Sequence, residues 1–250
     1  MKQKIIIIFI FFVSLALFAS VPVYADTVIF SDDFNRDNNY DVGNGWTEIE
    51  DGGIVGIYDN QLYFAETNDL VNRPMVSHSF TNLSSGTLSW SFDFDWTRNE
   101  DESTYRLFMQ LGNSASMSSN DQSAGIGVNL VWTSINNVHQ LLAYVGDGAY
   151  TTLGTISGNT SIQVLADPVG HDFSVSIDGN PVQSGIPFDN TVSGIDTVRF
   201  FTDQLNDAHF SGISFDNVQV STSAVPIPSA LWLLGSGLIG IVGIRKKSKA

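Results

Sequence analysis

The sequence predicts an antiparallel β-sandwich. Three observations carry that expectation. Apolar residues recur at every second position, turn-forming residues punctuate the runs at short intervals, and no stretch between residues 26 and 224 shows helical periodicity. Taken in chain order, a first strand is expected at 27–31 and a hairpin at 54–58 and 61–65, closed by Asp59-Asn60. A strand at 75–80 follows. The clearest alternation is at 87–96, where Leu88, Trp90, Phe92, Phe94 and Trp96 alternate with Ser89, Ser91, Asp93 and Asp95, so that one face is buried and one is wet. Strands are expected next at 104–111, 125–132 and 138–145, separated by the polar stretch 112–123 and by Gly146-Asp147-Gly148. Residues 161–166 and 172–177 alternate again, and Asp178-Gly179-Asn180-Pro181 turns the latter toward Val182. Two final strands occupy 195–202 and 213–220.

The two ends differ from this middle. Lys2 and Lys4 precede an apolar run from Ile5 to Phe18 broken only by Ser14, and Val23-Tyr24-Ala25 provides small residues before the first acid, Asp26. This is the pattern of a secretory signal peptide over 1–25, with cleavage between Ala25 and Asp26. At the other end, Val225-Pro226-Ile227-Pro228 stops any strand, because proline lacks the N–H that a sheet requires. Ser229 to Ile244 follow, sixteen residues without a charge, and Arg245, Lys246, Lys247 and Lys249 close the chain. As a helix, such a segment covers roughly 24 Å of a ~30 Å hydrocarbon core, and the basic tail stays cytoplasmic. The expected division is therefore 1–25, 26–224 and 225–250, with the middle part exported and a short hydrophobic helix contacting the membrane.

Charge is divided as sharply. All twenty-six acidic residues lie between Asp26 and Asp216, where five arginines and no lysine oppose them, so the middle part carries −21 while the whole chain carries −15. Such a surface repels nucleic acid and anionic lipid, and both are excluded as partners. The absence of cysteine excludes disulfides and thiolate zinc sites.

The order of signal peptide, domain, Val225-Pro226-Ile227-Pro228, apolar segment and basic tail resembles a PEP-CTERM sorting signal, most closely its Val-Pro-Leu-Pro-Ala variant, with Ile227 and Ser229 replacing leucine and alanine and without the Pro-Glu-Pro triplet. The resemblance implies an exosortase-type sorting enzyme as partner and a destination in the cell envelope or extracellular matrix. The middle part resembles the concanavalin A-like, laminin-G-type jelly rolls through Phe30-Ser-Asp-Asp-Phe-Asn-Arg36, Gly43-Asn-Gly-Trp46, Asp59-Asn-Gln-Leu-Tyr-Phe64 and Phe215-Asp-Asn-Val-Gln-Val220. That resemblance implies first and last strands lying near each other.

Candidate sites are few. Asp33, Asn35, Asp37, Asn39 and Asp41 place oxygen side chains at every second position, a set that suits calcium, although the same residues favour turns. Trp132, Tyr144 and Tyr150 lie near expected loops and are candidates for stacking on sugar rings. No catalytic motif is present. The paired carboxylates of a retaining glycosidase are best approached by Glu48-Ile49-Glu50-Asp51 and by Asp93 with Asp95, and neither completes the pattern. The expected function is a non-catalytic, exported protein that binds extracellular polysaccharide or serves as structure. The rival is a secreted glycosidase or lyase on the same fold. The two ends make a testable statement: mature protein begins at Asp26 and, in cells with the sorting enzyme, loses the segment after about Pro228. Mass spectrometry of envelope and medium fractions checks this, and full-length protein in the cytoplasm contradicts export.

Overall fold

The computed structural model describes residues 26–50, 54–65, 74–96, 105–115, 117, 127–135, 138–145, 149–156, 158–188, 193–204 and 213–222. The signal-peptide stretch up to Ala25 and the sorting residues Val225, Pro226, Ile227 and Pro228 lie outside them, as does the expected C-terminal helix. The described residues form fifteen strands: β1 (Thr27–Asp32), β2 (Thr47–Ile49), β3 (Ile54–Tyr58), β4 (Gln61–Ala65), β5 (Met75–Leu83), β6 (Leu88–Trp96), β7 (Tyr105–Gly112), β8 (Val128–Ile135), β9 (Val138–Tyr144), β10 (Tyr150–Thr155), β11 (Thr160–Asp167), β12 (Asp172–Ile177), β13 (Asn180–Pro187), β14 (Ile195–Gln204) and β15 (Ile213–Thr222). An eight-stranded sheet runs β13-β12-β11-β6-β15-β4-β3, with β1 also on β15; a seven-stranded sheet runs β10-β9-β8-β7-β14-β5-β2. Every pairing is antiparallel. The all-β antiparallel expectation holds for these residues.

Alternation becomes burial as expected. Trp90, Phe92 and Phe94 of β6 are at most 1% exposed, while Ser91 and Asp93 on the other face are half-buried. Ile162, Val164 and Ala166 of β11 and Phe173 and Val175 of β12 face the same core. The two sheets meet through Phe200 of β14, whose ring lies 4.2 Å from that of Phe215, 5.6 Å edge-on from Phe92 and 6.1 Å from Trp90. Both expected hairpin turns form with left-handed backbone at their two central residues: φ is 50° and 61° at Asp59 and Asn60, and 51° and 74° at Asp178 and Gly179. Positive φ at both positions is what a two-residue turn matched to strand twist requires.

Three strands escaped the sequence reading, and one was displaced. β2 has only three residues, β10 contains a bulge between Thr152 and Gly154, and β13 is exposed along most of its length with Pro181, Gly185 and Pro187 in it. None offers a clean period of two. β8 begins and ends three residues later than expected, at Val128–Ile135, which moves Trp132 from a strand end to a strand interior.

The segment that carries the chain from β1 in one sheet to β2 in the other is tied to a single carboxylate. Asp32, 5% exposed, accepts from Arg36 Nη1 at 2.7 Å, Arg36 Nη2 at 3.0 Å, Asn44 Nδ2 at 3.0 Å, Trp46 Nε1 at 2.8 Å and the Phe34 amide at 2.8 Å. Burial by itself raises the pKa of this carboxyl, but these donors together outweigh it and hold the pKa below 3.8. Asn44 and its two flanking glycines all have positive φ, and a Cβ on Gly45 would stand 3.1 Å from His78 Nε2. At the far end β1 runs beside β15, with Thr27 opposite Thr222, so the first and last strands are neighbours as the resemblance implied.

Two outcomes test this account. Phe92→Ala lowers stability by about 3–5 kcal/mol in urea unfolding, and a loss under roughly 1 kcal/mol contradicts its place in the core. Asp32→Ala costs about 3 kcal/mol, because it strands the Trp46 and Phe34 donors and part of the Arg36 charge. The depressed folded pKa fixes the sign of the pH effect. The Asp32 contribution is fully present above the unfolded value near 3.8 and is lost as pH falls through the lower folded value. The stability difference between wild type and Asp32→Ala therefore shrinks in acid, which unfolding at pH 7 and pH 3 measures.

Candidate functional site

The aromatic candidates from the sequence divide. Trp132 is a correction: at 1% exposure it lies in the core, 5.9 Å edge-on from Phe94, 5.6 Å from Trp96 and stacked at 5.7 Å on His139. It offers no face to a ligand, because β8 continues past it to Ile135. Tyr144 and Tyr150 meet as a directly opposed pair across β9 and β10, edge-on at 5.4 Å, with Tyr150 39% exposed.

These tyrosines stand at one end of an ordered surface. On the outer face of the seven-stranded sheet, register aligns Ser77, Arg199, Gln110 and Asn129 across β5, β14, β7 and β8. Tyr144 of β9 sits on the same face, one position beyond the Leu130–Ala143 pair that neighbours Asn129. A parallel row of Met75, Phe201, Phe108, Val131 and Leu142 forms an apolar stripe, in which Phe108 and Phe201 stack at 4.6 Å. Arg199 is 1% exposed. It donates Nε and Nη2 to Gln110 Oε1, at 2.8 and 2.6 Å, and Nη1 to the Met117 carbonyl, and its guanidinium lies 4.8 Å over the Phe201 ring. Burial lowers its pKa to about 10, which leaves it cationic at neutral pH. Two of the three Arg199 bonds end on Gln110 Oε1, and the amide nitrogen of Gln110 is buried with no hydrogen-bond partner among the described residues. Thr133 Oγ1, on the same face, is in the same condition. Buried polar groups are ordinarily paired, and these two atoms, having no accessible surface, are out of an outside ligand's reach.

The acidic candidates behave as turn formers. Asp33 Oδ1 accepts from the Asn35 amide at 3.2 Å, Asn39 Oδ1 from Asp41 at 3.3 Å and Asp41 Oδ1 from Gly43 at 2.8 Å. Each carboxylate or amide oxygen thus serves its own backbone two residues on. Asn35 and Asp37 are exposed, and among the described residues no group of three or more His, Asp or Glu gathers closely enough to hold a metal ion. Two carboxylates outside that segment are perturbed. Glu48, bonded to the Val42 amide at 2.7 Å, is raised by burial and then by Asp41 and Glu50; Asp216 is raised by burial and then by Asp93, Asp33 and Asp32. The outer face of β7, β8 and β9 carries Arg106, Phe108, Gln110, Asn129, Val131, Thr133, Gln140, Leu142 and Tyr144, and on β14 the register sets Asp203 beside Arg106.

Sequence reasoning missed three tyrosines on the other sheet. Tyr40 is 74% and Tyr58 56% exposed, and Tyr63 lies 5.6 Å from Tyr58, ring to ring. The signal was present: Tyr58 and Tyr63 alternate with the core residues Ile57, Leu62 and Phe64, which places them on the wet face.

The architecture is a concanavalin A-like jelly roll: two antiparallel sheets face to face, with first and last strands paired. No protein-family model and no curated protein matches the chain. Solved structures do. An endo-1,3-β-glucanase from Streptomyces sioyaensis aligns with a TM-score of 0.57 at 12% identity, covering 81% of this chain and 97% of that one. The carbohydrate recognition domain of Emp47p aligns at 0.50 and 14%, covering 80% and 97%. A sialidase aligns at 0.56 and 11%, covering 83% of this chain and 19% of the sialidase, so there the chain corresponds to a fraction of a larger protein. At these identities the likeness establishes the fold, which lectin domains and carbohydrate-active enzymes share.

Proposed function

We propose that the chain is an exported glycan-binding protein of the cell envelope or extracellular matrix, delivered by an exosortase-type system and acting without catalysis. The observation that carries the binding reading is the outer face of the seven-stranded sheet. An aromatic pair, Tyr144 and Tyr150, stands at its edge, with the Tyr150 ring 39% exposed. Such a pair suits a sugar, since pyranose C–H faces stack on aromatic rings. The secretory and sorting patterns of the two ends supply the address.

Native electrophoresis of the full chain through gels containing a soluble neutral β-glucan measures the binding. The chain is retarded relative to a polysaccharide-free gel. Tyr150→Ala weakens the apparent Kd by about tenfold through loss of the stacking face. Equal mobility of the two proteins in the polysaccharide gel contradicts the assignment of this face.

A further inference from the structure

We propose that the outer face of the eight-stranded sheet carries a second, separate site for neutral glycan chains, built on Tyr40, Tyr58 and Tyr63. It rests on the glycan-binding reading above, but on different residues in the opposite sheet. Tyr58 ends β3 and Tyr63 lies within β4, and the register that pairs Gly56 with Tyr63 and Tyr58 with Gln61 puts both rings on the outer face, 5.6 Å apart. Tyr40 joins them through the backbone. Asn39 bridges to the edge strand in both directions, its amide donating to the Ile57 carbonyl at 3.0 Å and its carbonyl accepting from the Ile57 amide at 2.7 Å. The next residue, Tyr40, passes over Gly56, where a Cβ would stand 2.5 Å from the Asn39 carbonyl oxygen and 3.1 Å from the Tyr40 Cα. Only glycine admits that approach. Asn38 Oδ1 also takes the Asp59 amide at 2.9 Å and locks the same segment to the β3–β4 turn.

The backbone beneath these rings is therefore fixed from several directions, while the rings themselves bury little. Tyr40 at 74% and Tyr58 at 56% exposure are the most exposed aromatic side chains among the described residues, and they add little to the core. Rigid, amphipathic rings on fixed backbone make a low-entropy binding platform. Polar groups border it on the inner side. Gln61 accepts from Ser214 at 2.8 Å through Oε1, and Asp95 lies across from Ser214, next to Asp93 on β6. Carboxylates beside an aromatic platform accept hydrogen bonds from sugar hydroxyls. They also select by charge: Asp93, Asp95 and Asp216 on one face of a domain carrying −21 repel uronate or sulfated chains, so the occupant is a neutral polysaccharide. Equatorially linked chains, which present flat faces on successive rings, match a tyrosine pair. With one site on each sheet, the domain joins two polysaccharide chains and gains avidity on a dense matrix.

The test is electrophoresis of the full chain through gels of hydroxyethyl cellulose, a neutral β-glucan, and of polygalacturonate, an anionic chain. Tyr40→Ala and Tyr58→Ala each weaken retardation by hydroxyethyl cellulose about tenfold in apparent Kd. Both side chains are exposed, so melting temperatures stay at the parental value, and Tyr40→Ala alone decides the matter if Tyr58→Ala folds poorly. Loss of retardation with Tyr40→Ala supports the second site whatever Tyr150→Ala does. Parental retardation of the Tyr40 and Tyr58 variants, while Tyr150→Ala loses it, overturns the second site and leaves the first. Retardation by polygalacturonate and not by hydroxyethyl cellulose overturns the choice of a neutral ligand. Unretarded parent chain in both gels overturns this proposal together with the reading on which it rests.

Discussion

The carboxylate of Asp32 is the constraint on which the rest of the sandwich depends. A chain that leaves one sheet and enters the other must cross the open end of the core, where backbone groups have no strand partners. Here the crossing closes on one residue: five donors from four residues converge on Asp32, and two of them, the Trp46 indole and the Phe34 amide, are buried. Phe34 is held at φ 50°, a conformation that a bulky side chain adopts only under compulsion. Its amide bond to Asp32 is that compulsion. The reward is packing. Phe30, Phe34 and Trp46 close the core end, and Trp46 reaches Phe200 at 6.2 Å, the ring through which the two sheets meet. The same crossing then runs on to Asn39, whose bridge to Ile57 covers the edge of β3.

From that frame the two sheets acquire different outer surfaces. In the eight-stranded sheet the outer positions of β6 and β11 hold Ser89, Ser91, Asp93, Asp95, Ser161 and Gln163, and the sheet meets water in the ordinary way of an antiparallel layer. In the seven-stranded sheet the middle of the outer face is buried as well, and the side of β9 and β10 stays open. Phe108, Val131 and Phe201 form a second apolar cluster behind the main one, and Arg199, Gln110 and Asn129 are buried among them. A buried guanidinium bonded to an amide oxygen and a carbonyl, and lying over a phenyl ring, fixes the relative register of β7 and β14 more firmly than apolar packing alone would.

This difference explains what the sequence made legible. The alternation of β6, β11, β12 and β15 follows from one wet face and one dry face, and it placed Trp90, Phe92 and Phe94 in the core without ambiguity. The two-residue turns at Asp59-Asn60 and Asp178-Gly179 were equally readable, since their residue types tolerate positive φ. In β7, β8 and β14 the period disappears because both faces are dry. Arg106-Leu-Phe-Met-Gln-Leu111 and Val128-Asn-Leu-Val-Trp132 read as nearly continuous apolar runs. Neither the ends of β8 nor the role of Arg199 could be taken from such runs. The expectation for Trp132 was accordingly a strand end near a loop, and the polar row through Gln110 went unseen. Asp33, Asn39 and Asp41 show the converse limit. A spacing of two suits both a metal loop and a succession of side chain-to-backbone turns, and the described geometry of these three is the latter.

The same physics that hides one face also shapes what the domain accepts from outside. A sandwich has edges, and open edges recruit other strands. Here β13 carries Pro181, Pro187 and a left-handed Gly185, β10 is bulged, β2 has three residues, and β3 is bridged by Asn39. Each of these four edge strands is blunted by a different device, which makes them poor places for a partner strand to pair. The acidic surface, without a lysine between Asp26 and Asp216, also repels anionic molecules. What remains available is a set of exposed tyrosines on the two outer faces, flanked by amides, alcohols and carboxylates. Those groups suit a ligand that is uncharged, rich in hydroxyls and flat on one side. The neutral polysaccharide proposed above meets all three conditions.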